Sequence, residues 1–254
     1  FKPAHILIGK PYIFQLNTTK TDNTLERKMT NICLVTEELA GTGRSGGIGA
    51  AFKEMAIFLA QSGFRVDIFY HDTTAIGDKT IEKAKSFYAN YGVKMKVIDI
   101  TKYVDGEPSA RAVSYATYKT LVEQDKTYDF IHFHDYKGMG FFSCAAKRQG
   151  IAFSNSRLVV QLHGPTRWTI EANSTLFFHE DQLHIDYLEK KSIEWADQAI
   201  SPSKYLATWV NENFFTNNRK DILVIKNLCR NIVSEVRTVS EESSSTKEST
   251  EGLT

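Results

Sequence analysis

Short apolar, β-branched runs recur along this chain, separated by longer segments of helical period, and that alternation limits the fold more than any other feature. It predicts right-handed βαβ units, hence a doubly wound, mainly parallel α/β sheet with helices on both faces. Strands are predicted at 31–36, 65–70, 94–98, 130–133, 158–162, 198–201 and 222–225. Most are apolar throughout, as strands covered on both sides must be. Helices are predicted at 48–62, 80–91, 109–124, 138–149, 181–195 and 203–213. Gly63, Gly92 and Gly150 stand where three of them should stop, and Pro108 and Pro202 stand just ahead of two others.

The ends of the chain differ from this pattern. Two short extended runs, at 5–8 and 12–16, precede a polar loop at 17–28. The last fifteen residues, SEESSSTKESTEGLT, hold four Glu, one Lys and a single large aliphatic, too little apolar surface to offset the entropy of ordering. The expected layout is an extension over 1–28, a domain over 29–228, and a hinge remnant with a disordered tail over 229–254. Phe1 in place of Met suggests a piece of a longer chain.

Composition excludes several functions. Thirty-one Lys and Arg against thirty Asp and Glu give a net charge of +1, which argues against nucleic-acid binding. No apolar run approaches the ~20 residues of a transmembrane helix. The cysteines, Cys33, Cys144 and Cys229, are odd in number and widely spaced, which fits a reducing, cytoplasmic setting and suggests neither a disulfide framework nor a zinc site.

In an open parallel sheet, ligands bind beyond the carboxyl ends of the strands, so those ends are read for chemistry. The first is followed by EELAGTGRSGGIG at 37–49, whose five glycines expose amides just ahead of a helix and could cradle a diphosphate. Gly41, Gly43 and Gly46 also satisfy a dinucleotide fingerprint, although Glu37 to Ala40 intervene after the strand and the matching acid, Asp67, falls inside the next strand. A plain glycine turn is the third reading. No Lys follows in P-loop form.

The fourth strand ends in DFIHFHDY at 129–136. His132 and His134 share one face, as a metal pair would, but no third ligand sits at a recognisable spacing. Asp135 stands one residue past the strand, as a carboxylate for substrate hydroxyls or protons, or as a helix cap. The fifth strand runs into QLHGPTRW at 161–168. There His163 is placed to contact a sugar hydroxyl, Arg167 a phosphate, and Trp168 a sugar face or the core. The segment 179–210 reads as structural, with an Asp186–Lys190 pair, an apolar stripe of Leu183, Tyr187 and Leu188, and Ser201 and Ser203 as caps.

Five motifs in order carry a resemblance: GRSGGIG (43–49), DFIHFHD (129–135), VVQLHGPTRW (159–168), HIDYLEKKSIEWADQAISPSKYLATWV (184–210) and VIKNL (224–228). From residue 31 to about 228 the chain resembles the amino-terminal, acceptor-side domain of retaining GT-B glycosyltransferases, closest to family 4 and more distantly similar to starch and glycogen synthases. The resemblance implies a Rossmann-like half facing a second domain, a nucleotide-sugar donor, a carbohydrate or other hydroxyl acceptor, and no metal or other cofactor. It implies His163 and Asp135 as catalytic residues and Arg44, Gly46 and Gly47 at the donor phosphate; beside them Tyr136, Arg167 and Trp168 are read from their positions as acceptor- or sugar-binding. Lys226 stands where the family's hinge usually has proline, and no donor-binding half follows, so the expected activity needs that half in cis or from a partner chain. A non-catalytic carbohydrate-binding module and a nicotinamide-dependent oxidoreductase are the alternatives.

Overall fold

The structure is a computed structural model that describes residues 29–42, 45–72, 77–105, 109–124, 127–177 and 179–228. Seven strands form one parallel sheet: β1 (Asn31–Thr36), β2 (Arg65–Tyr70), β3 (Lys94–Val97), β4 (Phe130–His134), β5 (Arg157–Gln161), β6 (Gln198–Ser201) and β7 (Ile222–Val224). Their order is β3-β2-β1-β4-β5-β6-β7. All seven predicted strands form, each within a residue of its expected bounds. The order reverses between β1 and β4, where crossovers leave in opposite directions and open a crevice at the strand ends.

The helices are α1 (Gly47–Gln61), α2 (Asp78–Ala89), α3 (Ala110–Val122), α4 (Phe141–Arg148), α5 (Thr166–Ala172), α6 (Glu180–Trp195) and α7 (Lys204–Phe214). The pleat sends alternate residues of each strand to opposite faces. Ile32 and Leu34 of β1 join Phe52 and Leu59 of α1 and Tyr88 of α2 on one side. Cys33 and Val35 join Val113 of α3, Met139, Ile193 of α6 and Val210 of α7 on the other. Gly63, Gly92 and Gly150 follow α1, α2 and α4 with φ of 88°, 77° and 72°, as stop signals should. Ser109 and Ser203 cap α3 and α7 by accepting from Ala112 N and Leu206 N, both at 3.2 Å.

Three local expectations change. The helix expected from 138 is broken: Tyr136–Gly138 is a 3₁₀ turn in which Lys137 has φ 57°, and α4 begins at Phe141. Gly138 has φ 61°, and a Cβ there would lie 2.4 Å from Leu188 Cβ, so only glycine admits this approach of α6. The segment after Pro165, where no helix is predicted, contains α5, which Pro165 opens as N-cap with φ −58°. The apolar stripe on α6 is not core: Leu188 is buried, but Leu183 and Tyr187 are 56% and 51% exposed. The runs at 5–8 and 12–16, Pro108 and the acidic tail lie outside the described residues.

Candidate active site

The carboxyl ends of β1, β4 and β5 converge on two buried polar clusters, one on each face of the sheet. On the α1 side, the Phe52 ring is surrounded by His132, His134 and His163, with centroids 5.7, 5.8 and 6.0 Å away. His132 and His134 share a face by period-2 alternation on β4, and His163 stands two residues past β5. His132 Nε2 meets Gln161 Oε1 at 2.9 Å, and Gln161 Nε2 donates to Asn227 Oδ1 at 2.8 Å, which ties residues 225–228 to the sheet. Nδ1 of His134 and Nε2 of His163 are buried and make no hydrogen bond among the described residues. Burial lowers His132 and His163 to about 4 and His134 well below its usual value, so all three rings are neutral at pH 7. Among the described residues, no group of three or more His, Cys, Asp or Glu could hold a metal ion.

The glycine run reaches the same rim. Gly46 is the N-cap of α1 and Gly47 its first residue. A Cβ on Gly47 would meet nothing within 4 Å, so its surroundings are open. The Gly46 amide donates to Glu38 Oε2 at 3.1 Å, so a carboxylate lies against the positive end of the 15-residue helix. Gly49 is packed for a different reason: a Cβ there would sit 3.0 Å from Leu39 N. Arg44 lies outside the described residues. The acid that a dinucleotide reading would require, Asp67, is buried in β2 and accepts from Tyr128 Oη at 2.7 Å.

On the α6 side stands a carboxylate cluster. Asp135 was expected at the rim, open to substrate, but the structure buries it fully, with Oδ1 accepting from His163 N at 2.9 Å and Oδ2 from Gly164 N at 3.2 Å. It clamps the loop that carries His163 and makes no side-chain cap bond. Burial raises it to about 7 against the pull of those amides. Glu189, in the middle of α6, holds the Lys137 turn and the start of α5 in the same way. It accepts from Lys137 N at 2.9 Å, Thr166 N at 2.7 Å and Thr166 Oγ1 at 2.8 Å. Burial, and then the Asp135 carboxylate nearby, raise Glu189 to about 8. Lys137 reaches back to Glu37, fully buried just past β1, with Nζ 3.0 Å from Oε1.

The remaining predicted residues divide. Tyr136 stays at the rim, half-buried, 6.4 Å from the His134 ring and 5.1 Å from Lys137 Nζ. Arg167 does not stand free for a phosphate: it meets Asp186 Oδ2 at 2.5 Å and lies over the Phe214 ring. That pairing also replaces the expected Asp186–Lys190 contact. Trp168 packs beneath its own loop, where a Cβ on Gly164 would come within 2.8 Å of the indole, and against the core on the α6 side. Sequence reasoning missed Glu37, Lys137 and Glu189. The only hint of Glu189 was its place one position after the buried Leu188, on a helix otherwise rich in charge.

A seven-stranded parallel sheet in this order, with helices on both faces, defines a Rossmann-like α/β domain and is consistent with one half of a GT-B fold. Residues 45–228 match the model of Glycosyltransferase Family 4, and the chain belongs to that family. Among solved structures, it is similar to the catalytic domain of starch synthase IV from Arabidopsis thaliana, itself bound to ADP and acarbose. The TM-score is 0.51 at 14% identity, over 78% of this chain and 51% of that one. This chain therefore spans about half the length of that relative. It is also similar to sucrose-phosphate synthase from Thermosynechococcus elongatus, with TM-score 0.48 and 13% identity over 85% of this chain and 98% of that one. No curated protein sequence matches this one. No helix among the described residues is long and apolar enough to cross a membrane.

Proposed function

We propose that this chain is the acceptor-side half of a retaining GT-B glycosyltransferase, moving a hexosyl group from a nucleotide-sugar donor to a hydroxyl acceptor. The observation that carries this reading is that the open glycine start of α1 and a neutral His163, whose Nε2 is buried with no hydrogen bond among the described residues, both stand at the carboxyl ends of the strands. The donor diphosphate would displace the Glu38 carboxylate from the Gly46 amide, take the open space at Gly47, and gain from the helix start. Arg44, in the same glycine run, would add its charge. His163 Nε2 would contact a hydroxyl of the transferred sugar, an interaction for which a neutral imidazole serves as donor or acceptor.

Retention then follows from attack on the donor's own face. The acceptor oxygen bonds to the anomeric carbon, the bond from that carbon to the phosphate oxygen breaks, and the acceptor proton passes to the departing phosphate. The charge that grows there is what the amides and the helix start stabilise. No step needs a metal or other cofactor. Asp135 and Glu189 act through others, by fixing the loops at His163 and Thr166. The family-matched body within 29–228 would form the acceptor-side domain, with the donor-binding half supplied in cis or by a partner chain, and this chain by itself would not turn over. Cys33 and Cys144, both buried and neither in a disulfide, support work in a reducing compartment such as the cytoplasm.

The test is Gly47→Val. With nothing within 4 Å of the added Cβ, the variant should fold as the parent does. Calorimetric titration with UDP and with ADP should show the tighter nucleotide weakened at least tenfold. Unchanged affinity would remove the glycine run from the donor site.

A further inference from the structure

A cavity of about 630 Å³ lies between the start of α3, the Lys137 turn and the first half of α6. It is the size of site that holds one small molecule. Its lining divides by chemistry. Arg111, Lys137 and His184 bring nitrogen groups, Asp181 is the one acid, and Phe141, Tyr187 and Leu188 supply apolar surface. The Phe141 and Tyr187 rings stand 6.0 Å apart, and Tyr187 is 51% exposed although aromatic. Lys137 is held by Glu37, and Asp181 complements the positive end of α6. Arg111 and His184 have no ion-pair or hydrogen-bond partner among the described residues. The uncompensated charge in the cavity is therefore the Arg111 guanidinium, whose planar fork suits a phosphate or carboxylate. Aromatic rings beside it suit the apolar face of a sugar. Lys137 connects this cavity to the donor side, since its ammonium holds Glu37 at the start of the glycine run.

We propose that this groove seats the acceptor, and that the acceptor is an anionic sugar whose phosphate or carboxylate is held by Arg111, with Lys137 and His184 beside it. This rests on the glycosyltransferase reading for the word acceptor, but the binding site itself stands apart from it. Three probes separate the chemistry: glucose 1-phosphate, glucuronate and glucose, each titrated into the 254-residue chain by ligand-observed NMR. At least one anionic probe should bind tenfold or more tightly than glucose. That preference should fall to within about twofold in Arg111→Ala, and affinity should fall in Tyr187→Ala. Both side chains are exposed enough for the variants to fold, and thermal melting checks it. Whichever anion binds identifies phosphate or carboxylate as the group recognised. Glucose binding as well as both anions, no binding by any probe, or an anion preference that survives Arg111→Ala would overturn the proposal. If Gly47→Val leaves nucleotide affinity untouched while the groove still selects anions, the transferase reading fails and the site stands.

Discussion

The histidine cluster on the α1 side and the carboxylate cluster on the α6 side lie at the same strand ends and are buried but for the half-buried His163, yet their hydrogen bonding differs. Glu189 and Asp135 between them take up five donors, four of them backbone amides of the loops after β4 and β5. The histidines leave two ring nitrogens without a hydrogen bond among the described residues. A buried polar group that is satisfied rigidifies its surroundings, whereas one left open costs free energy unless a ligand completes it. One cluster therefore serves as scaffold, and under the proposed function the other is the surface that meets substrate.

Removing a side chain from each cluster should expose that contrast. Glu189→Ala leaves three buried donors without acceptors and should cost about 3 kcal/mol or more, seen as a fall in the urea midpoint. His163→Ala orphans nothing and should cost about 1 kcal/mol, while the intact transferase loses roughly 100-fold in turnover. Equal stability losses would erase the distinction between scaffold and site.

The clusters should also respond to pH with opposite sign. Burial lowers His132 and His163 to about 4 and His134 well below 6.5, and it lowers His71, which lies outside the cluster with Nε2 2.6 Å from Thr117 Oγ1, to about 3. Below pH 6.5 the unfolded chain binds protons at these rings that the folded chain refuses, so they make stability fall as pH falls toward 4. The carboxylates Asp135 and Glu189, raised to about 7 and 8, contribute stability that is full below about pH 4 and is lost as pH rises through 7 and 8. Four groups oppose two, so urea midpoints should be lower at pH 5 than at pH 7. Glu189→Gln should shrink the decline between pH 7 and 8.5. A midpoint that rises steadily into acid would reverse the ranking of the clusters.

The sheet was legible because strands covered on both faces must be apolar throughout, and because Gly63, Gly92 and Gly150 mark helix ends by a backbone conformation few other residues tolerate. His163 and Gly47 were legible as positions, since strand ends and helix starts follow from the same pattern. What they touch was not. Asp135 reads identically whether its carboxylate faces solvent or two amides, because that choice depends on how the chain turns at Gly164. Glu189 reads as one more charge on a solvated helix, and only the approach of α6 over Gly138 shows it to be buried. Lys137 carries no mark of its left-handed φ, which is imposed by the turn that delivers its amide to Glu189. Pro165 reads as a terminator, and it is one for β5, but its fixed φ also opens α5.

The central claim, that the start of α1 and His163 together form the phosphate-facing half of a sugar-transfer site, is tested most directly by titrating inorganic pyrophosphate into the ¹⁵N-labelled chain. The account predicts that the Gly46 and Gly47 amides and the His163 ring nitrogens shift together along one saturable curve, and that the curve disappears in Gly47→Val. Pyrophosphate that moves other resonances while these stay still, or that binds Gly47→Val as well as the parent, would contradict it.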